Sequence, residues 1–229
     1  MVKIEKDKPL PNHTRLDYYE CYAKIILEKF FPNEYKNLQI ADRPDLREPI
    51  RNIGIEVTSA IPKKDKEALA LASQIPYLDK KEQKKRIGYL HKNGYEYTEF
   101  FMIHPIKYYS WLGLEYPDIT KTFCSVFIDI VEKKLEKLNN GTYDLLSRYD
   151  LFVQSELYIE EWMPEKLLDK LILLSNMSKS YHFIYLLALN GLFVFDISLK
   201  SWTMIETGKK LWGLGELARN MVEAGEIND

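Results

Sequence analysis

The stretch Asn52-Ile53-Gly54-Ile55-Glu56-Val57-Thr58-Ser59-Ala60 decides the fold of this chain. It is almost continuously apolar apart from Glu56 and Thr58, and such continuity predicts a strand that is covered on both faces. A carboxylate inside that strand is costly, because a buried charge must be paired, protonated or bound to a metal. Eleven residues before it, Asp45 follows the Pro-marked bend in Ala41-Asp42-Arg43-Pro44-Asp45-Leu46. Two acids brought close together favour a hard divalent cation with oxygen ligands.

The composition indicates a globular protein with a sizeable core. The chain has 229 residues, of which 46% are hydrophobic, 13% aromatic and 29% charged. Ten Gly and ten Pro are too few for disordered linkers, so a single domain over residues 1–229 is expected. The formal net charge of −2 gives no overall attraction to nucleic acid. A nucleic-acid enzyme of this composition must therefore concentrate positive charge on one face.

The sequence predicts a cytoplasmic protein with no membrane association. The first eight residues are charged and lack the apolar core of a signal peptide. The apolar runs at 183–189 and 192–197 are too short to cross a bilayer. Cys21 and Cys124 both fall in helical patterns, which is typical of buried thiols in a reducing compartment.

Hydrophobic periodicity predicts an α/β fold. Helices are expected at 16–30 (with Thr14 as a cap), 62–75, 79–92, 119–138, 165–174 and 214–224. Strands are expected at 38–42, 52–61, 149–155, 183–189, 192–197 and 202–205, with Asn190-Gly191 as a type I′ hairpin turn. Residues 94–118 are aromatic without clear periodicity, so loops and short elements are expected there. This mixed order favours a central sheet with helices on its faces, and residues 76–118 are a candidate helical and aromatic insertion.

Two segments outside the acidic pair have alternative interpretations. The segment 80–92 carries six Lys or Arg residues together with Tyr89 and His91. It suits either a surface that follows a phosphate backbone or a solvated helix face. The aromatic side chains between Tyr95 and Trp111 suit either stacking on unpaired bases or packing in a core or interface.

Several classes of enzyme are disfavoured by missing motifs. The four histidines are scattered, with no HxxxH or HxH spacing that would indicate a zinc hydrolase. The chain has no GxxxxGK loop of the kind that cradles phosphates in ATPases. Ser59 and Ser155 lack the flanking glycines of a nucleophile elbow.

The acidic residues resemble the two half-motifs of the PD-(D/E)XK nuclease superfamily, the restriction-endonuclease-like enzymes. Pro44-Asp45 matches the first half-motif and Glu56-Val57-Thr58 matches the second. The resemblance has motif support over roughly residues 14–75 and implies a mixed central sheet whose strands carry both half-motifs. It implies that Asp45 and Glu56 bind Mg²⁺ (Mn²⁺ is an alternative) and that Glu20, on the upstream helix, completes the site. Glu28 is the alternative acid on the same helix.

The sequence departs from the family at the lysine position, which is Thr58 here. A lysine there orients the attacking water and offsets developing charge on the phosphate. As a candidate catalytic residue, Thr58 can hydrogen-bond the attacking water or the metal and so orient the water, but it brings no charge. Lys64 and Lys66 follow closely enough in the chain to be candidates for the missing cation.

The resemblance implies a magnesium-dependent nuclease acting on DNA or RNA, in bacterial defence or a mobile element, with a homodimer also compatible. The threonine and the net charge favour a second possibility, a nuclease-like protein that binds nucleic acid or a protein partner without cleaving. A third possibility is an α/β binding protein of another kind, in which the acids only support structure.

Overall fold

A computed structural model of the protein describes residues 9–11, 14–61, 63–103, 106–114, 119–141, 143–155 and 157–227. The chain divides into two compact units. The first comprises the described residues of Met1–Thr14 and Ile61–Ile119, and the second those of Arg15–Ala60 and Thr120–Asp229. The candidate residues Glu20, Asp45 and Glu56 all belong to the second unit.

The second unit is a mixed α/β structure built on a seven-stranded sheet. Its helices are α1 (Tyr18–Phe30), α4 (Ile119–Asn139), α5 (Met163–Leu174) and α6 (Leu214–Ile227), with a 3-10 turn at Gly208–Leu211. The strands are β1 (Gln39–Ile40), β2 (Leu46–Glu48), β3 (Ile53–Ser59), β6 (Arg148–Gln154), β7 (Phe183–Ala188), β8 (Gly191–Asp196) and β9 (Ser201–Ile205). The predicted α/β class with helices around a mixed sheet is confirmed.

The sheet has the strand order β1-β2-β3-β6-β7-β8-β9. The central strands β3, β6 and β7 run parallel to one another, and the remaining neighbours pair antiparallel. The long connections carrying helices lie between the parallel strands, as parallel pairing requires. Strand β3 therefore lies inside the sheet, which explains its continuous apolar pattern.

Strand β3 contributes to both faces of the sheet, because successive side chains point to opposite sides. Ile53, Ile55 and Val57 pack in one core cluster with α1 residues such as Ile26 and Leu27. A second cluster contains apolar residues of α4, α5, β6 and β7. The even-numbered residues of β3, including Glu56 and Thr58, alternate with the first set and so point toward the α4 side.

The first unit contains two helices and a β-hairpin among its described residues. Helices α2 (Lys63–Gln74) and α3 (Lys80–Lys92) are joined by a 3-10 turn at Ile75–Tyr77, and strands β4 (Tyr95–Ile103) and β5 (Ile106–Leu114) pair antiparallel. A small cluster holds the elements together through Ala68, Ala72, Ile75, Leu90 and Tyr95. Asp65, which is 1% exposed, accepts a hydrogen bond from the Tyr95 hydroxyl at 2.8 Å.

Several sequence predictions need correction. Residues 94–118, expected to form loops and short elements, contain the two nine-residue strands β4 and β5. Strand β2 was missed because it has only three residues, Leu46-Arg47-Glu48, between Asp45 and a turn. The N-cap of α1 is Asp17 and not Thr14: its Oδ1 accepts hydrogen bonds from the amides of Tyr19 (2.7 Å) and Glu20 (3.2 Å).

The predicted type I′ turn at Asn190-Gly191 is also wrong by one residue. Gly191 pairs with Ala188 as the first residue of β8, so the turn residues are Leu189 and Asn190. Neither has the positive φ of a type I′ turn. Asn190 instead exchanges side-chain hydrogen bonds with the backbone N–H and C=O of Ile159, at 3.0 and 2.8 Å.

Some predicted features fall outside the described residues, including His13, His104 and the side chains of residues 99–114. Across the helices that the structure does describe, none has both the length and the apolar character that a bilayer span requires.

Candidate functional site

The bend before β2 places Asp45 against the middle of β3. Arg43 has a left-handed backbone conformation (φ 58°), and the Arg43–Pro44 peptide bond is cis. Pro44 packs directly on Gly54, where an added Cβ would lie only 2.4 Å from the proline Cγ. A glycine at this position of β3 therefore allows the close approach of the segment that carries Asp45.

The pairing register brings Asp45 opposite Glu56. In the antiparallel β2–β3 ladder, Leu46 pairs with Ile55 and Arg47 with Gly54. One residue beyond the end of this ladder, Asp45 comes opposite Glu56, and directly opposite residues have Cβ atoms about 5 Å apart. The Asp45 Oδ2 atom also accepts a hydrogen bond from the amide of Val57 at 2.7 Å. The two predicted acids are thus brought together.

Glu56 is an ion-paired carboxylate that is only 2% exposed. Its Oε1 atom lies 2.6 Å from Lys134 Nζ and 3.1 Å from Lys137 Nζ, both on α4. Burial acts to raise the pKa of Glu56, but the hydrogen bonds and charge of the lysines outweigh it and the pKa is lowered. Glu56 is therefore ionised at neutral pH despite its position inside the sheet.

The second oxygen of Glu56 is buried, and its region also holds the buried hydroxyl of Tyr143. Among the described residues neither atom makes a hydrogen bond of ordinary geometry, although a hydrogen bond from Tyr143 to Glu56 is one of the causes that lower the carboxyl pKa. This hydroxyl is close enough to Glu56 that burial and the carboxylate together raise the tyrosine pKa. A buried polar atom without a partner calls for an explanation, and a bound water or ion is a common one.

Glu20 adds a third acid to this region. It is half-buried in the first turn of α1, and its pKa is raised to about 7 by burial and by the charges of Asp45, Asp17 and Glu56. Burial and the charge of Glu56 also raise the pKa of Asp45. Three carboxyl groups therefore repel one another within a partly buried space, and the lysines of α4 contact only Glu56 among them in the described contacts.

Glu28, the alternative acid on α1, interacts with groups other than Asp45 and Glu56. Its Oε1 atom lies 2.5 Å from Lys24 Nζ and accepts a hydrogen bond from the amide of Leu38 at 3.1 Å. The first contact lies within α1, and the second connects α1 to the chain just before β1. Glu20 is the helix acid that acts on Asp45 and Glu56.

Of the residues predicted to replace the family's lysine, one lies on the same strand as Glu56 and two lie in the first unit. Thr58 is half-buried on β3, two residues after Glu56 and on the same face. Lys64 and Lys66 lie on α2 in the first unit, where the Lys64 ammonium sits 5.5 Å from the centre of the Tyr95 ring.

Sequence reasoning missed three residues that surround Glu56, namely Lys134, Lys137 and Tyr143. A signal for Lys134 was present, because it falls three residues after Val131 and four before Leu138 on the apolar stripe of α4. A cation on the core-facing side of a helix predicts a buried anionic partner. The identity of that partner, 78 residues earlier in the chain, was not readable from the helix alone.

The potential metal ligands in this region are carboxylate oxygens, which are the ligands that Mg²⁺ takes. Within the described part of the chain, no group of three His, Cys, Asp or Glu side chains is arranged to hold a metal ion. Mg²⁺ keeps several waters and is commonly bound by one or two carboxylates together with substrate phosphates. Asp45 and Glu56 are the two carboxylates of this region that could supply oxygen ligands of that kind.

A second buried acid, Asp150 on β6, is structural. Its Oδ2 accepts hydrogen bonds from the Tyr35 hydroxyl (2.8 Å) and Arg148 Nε (2.9 Å), and its Oδ1 from the Phe183 amide (2.9 Å). All of these contacts are made within the protein, so this cluster satisfies its own charges and leaves no oxygen of Asp150 without a partner.

Comparisons of the chain with protein-family models, curated proteins and solved structures found no match. The function must therefore be inferred from the residues and geometry described above.

Proposed function

We propose that this protein is a magnesium-dependent nuclease of the restriction-endonuclease-like type, with its site at Asp45, Glu56 and Glu20. The observation that carries the proposal is the register of β2 and β3, which sets Asp45 opposite Glu56, whose Oε2 atom makes no hydrogen bond of ordinary geometry among the described residues. The element order of helix, mixed strands, helix and parallel strand is compatible with the resemblance seen in the half-motifs.

The chain's own residues have distinct roles in this proposal. Asp45 and Glu56 hold the ion, and a bound Mg²⁺ supplies Lewis-acid activation of the phosphoryl group and of water. The hydrogen bond from the Val57 amide fixes the orientation of Asp45. Glu20 adds negative charge that favours a divalent cation, because mutual repulsion of the three carboxylates is relieved when a cation binds.

Lys134 takes the role that the resemblance assigns to a lysine at position 58. Its ammonium orients Glu56 and places a positive charge at the site, where it offsets negative charge on a phosphate. Lys137 has the same kind of contact but is more exposed, with 47% of its side chain accessible against 22% for Lys134. We therefore assign the main role to Lys134.

The test is metal-dependent cleavage of labelled DNA and RNA, single- and double-stranded, by the wild type and by Asp45→Asn and Glu56→Gln variants. Cleavage should require Mg²⁺ or Mn²⁺ and fall by at least about 100-fold in each variant. Asp144→Asn, at an exposed acid paired with Arg47, is the matched control and should cleave normally. Equal activity of wild type and both site variants would refute the assignment.

A second candidate function is favoured by the lysines. Because Glu56 Oε1 is already neutralised by two ammonium groups, the ion pair can replace a metal and leave a non-catalytic binding module. Calorimetry separates the two. A nuclease should bind Mn²⁺ in a manner abolished by Glu56→Gln, whereas a module whose acids are satisfied by lysines should bind none.

A further inference from the structure

Helix α3 in the first unit carries a basic stripe, which we define as Lys81, Lys84, Lys85 and Lys92. These residues follow one another at spacings of three, one and seven, so they share one side of the helix together with Gly88. All four are exposed. The opposite side carries Leu90, which is fully buried in the core of this unit.

The positive charge of this region is segregated from the rest of the chain. Residues 63–92 contain nine Lys or Arg and four Asp or Glu, a formal charge of +5 in a chain whose net charge is −2. One of the four acids, Asp65, is buried against Tyr95, and another, Asp79, caps α3 by accepting hydrogen bonds from two amides of its first turn. Neither lies within the stripe.

The stripe has little internal neutralisation. Glu82 is the acidic residue within α3, and its contact with Lys85 is long, at 3.8 Å, between side chains that are 41% and 77% exposed. Exposed pairs of this kind contribute little. Arg86, outside the stripe, is directed instead to Gln74 at 2.8 Å. Six Lys or Arg residues accompany this one acid, Glu82, on α3, so most of the positive charge of the helix is not balanced by pairs one turn apart.

The shape of the stripe suits an extended polyanion. From Lys81 to Lys92 it covers about 16 Å, close to the axial rise of five base pairs. Gly88 lies at its centre, and a Cβ there would meet nothing within 4 Å. Tyr89, with 59% of its surface exposed, lies beside the stripe. At Gly88 the basic stripe therefore has no side chain, and the surface there is open between the lysines on either side.

We propose that the basic stripe of α3 binds the phosphodiester backbone of the nucleic acid that the proposed nuclease cleaves. This inference rests on the proposed function for the identity of the ligand, but the binding surface is separate in the sequence from Asp45 and Glu56. The contacts are to phosphates, so the stripe supplies affinity without reading the base sequence.

The test is fluorescence anisotropy of labelled nucleic acids in EDTA, across a salt series from about 50 to 200 mM NaCl. The wild type is compared with a variant carrying Lys→Gln at all four stripe positions. Affinity should fall by at least about 10-fold. The slope of log affinity against log salt should become shallower by an amount that corresponds to the loss of about two to three phosphate contacts. Duplex DNA, single-stranded DNA and duplex RNA are measured separately to identify the source of the phosphates.

A charge-matched control carries Lys→Gln at four exposed lysines of the second unit, Lys29, Lys36, Lys133 and Lys210. It should retain wild-type affinity and slope. Equal loss in both variants would overturn the proposal, because net charge alone would then explain binding. Preferential binding of the stripe to vesicles of phosphatidylserine over nucleic acid would overturn it as well.

The binding and cleavage experiments test the two proposals separately, so one proposal can fail while the other holds. If the stripe controls binding but no cleavage is found with any metal, the inference stands and the catalytic proposal fails. If cleavage requires Asp45 and Glu56 but the stripe variant binds as well as the wild type, the catalytic proposal stands and the inference fails. The milder Lys84→Gln, Lys85→Gln variant gives the same comparison if the fourfold variant does not fold, as checked by circular dichroism.

Discussion

At the residue scale, the central feature of the candidate site is the carboxylate of Glu56, which is buried and ionised. Glu56 is accommodated inside β3 because Lys134 and Lys137 neutralise its carboxylate through Oε1. The pKa of Glu56 is lowered, whereas burial and neighbouring carboxylates raise the pKa values of Asp45 and Glu20. Three carboxyl groups and two ammonium groups therefore lie in this region.

Replacement of Lys134 by Met should destabilise the protein by about 1–3 kcal/mol, because it leaves a buried carboxylate with one weaker partner. Since the pKa of Glu56 is lowered, the stabilisation is present above its usual value of 4.5 and is lost as pH falls below it. Urea unfolding at pH 7 and pH 3 measures both effects. Lys133→Met, at the exposed neighbouring position, is the control and should change stability by less than about 0.5 kcal/mol.

Glu20→Gln should stabilise the metal-free protein at pH 8 more than at pH 4. Because the folded-state pKa of Glu20 is about 7 and the usual value is 4.5, the folded protein binds the proton more tightly. Wild-type stability therefore declines, relative to the variant, as pH rises from 4.5 to 7. Unfolding curves in EDTA at several pH values measure the difference. A difference independent of pH would contradict the electrostatic coupling of Glu20 to Asp45 and Glu56.

At the scale of elements, the bend that carries Asp45 packs closely against β3 because a glycine, Gly54, lies at the point of contact. Gly54→Ala would place a Cβ 2.4 Å from both Pro44 Cγ and Leu146 Cδ1, so Pro44 and with it Asp45 must shift. We expect a loss on the order of 2 kcal/mol together with weaker Mn²⁺ binding by calorimetry.

Gly88→Ala is the matched control for this substitution. Its Cβ would meet nothing within 4 Å on the exposed side of α3, and alanine is the better helix former by about 0.5–1 kcal/mol. It should therefore raise the melting temperature and leave metal binding unchanged. A similar stability loss at both glycines would show that Pro44 packing is not the cause at Gly54.

At the scale of the whole molecule, each unit has its own apolar core. Among the residues whose side chains the structure describes, the two large clusters draw on the second unit, and the small cluster around Ile75 and Leu90 draws on the first. All of the carboxylates in the candidate site belong to the second unit, whereas the basic stripe belongs to the first. The expected single domain with an insertion over 76–118 stays a prediction, although the structural boundary falls earlier, at Ile61.

Replacement of residues 61–119 by a flexible Gly/Ser linker should leave the second unit folded, because the described members of its two clusters all lie outside the excised segment. The shortened protein should keep Mn²⁺ binding and lose most of its affinity for nucleic acid. Calorimetry and anisotropy measure the two properties on the same preparation. Retention of full nucleic-acid affinity would locate the binding surface in the second unit instead.

Much of this architecture was predictable because it is encoded locally. The continuous apolar run at 53–57, the helical stripes of α1 and α4 and the meander of β7 to β9 all follow from side-chain periodicity. The hairpin of β4 and β5 does not follow from periodicity in the same way, since the alternation that starts at Tyr95 and Tyr97 is interrupted at Phe100-Phe101 and again at Tyr108-Tyr109. Strand β2 is too short for periodicity to reveal it, and it forms because β3 provides its hydrogen-bonding partners.

The sequence by itself determined that an acid would lie inside a covered strand and that Asp45 would follow a bend, because composition and spacing are local properties of the chain. Only the tertiary structure decided that Asp45 comes opposite Glu56, that Glu20 and not Glu28 acts on them, and that Lys134 pairs with Glu56. These relations depend on strand register and on helix packing across 78 residues of chain. Such long-range contacts arise when the whole apolar surface is buried at once, and no local pattern specifies them.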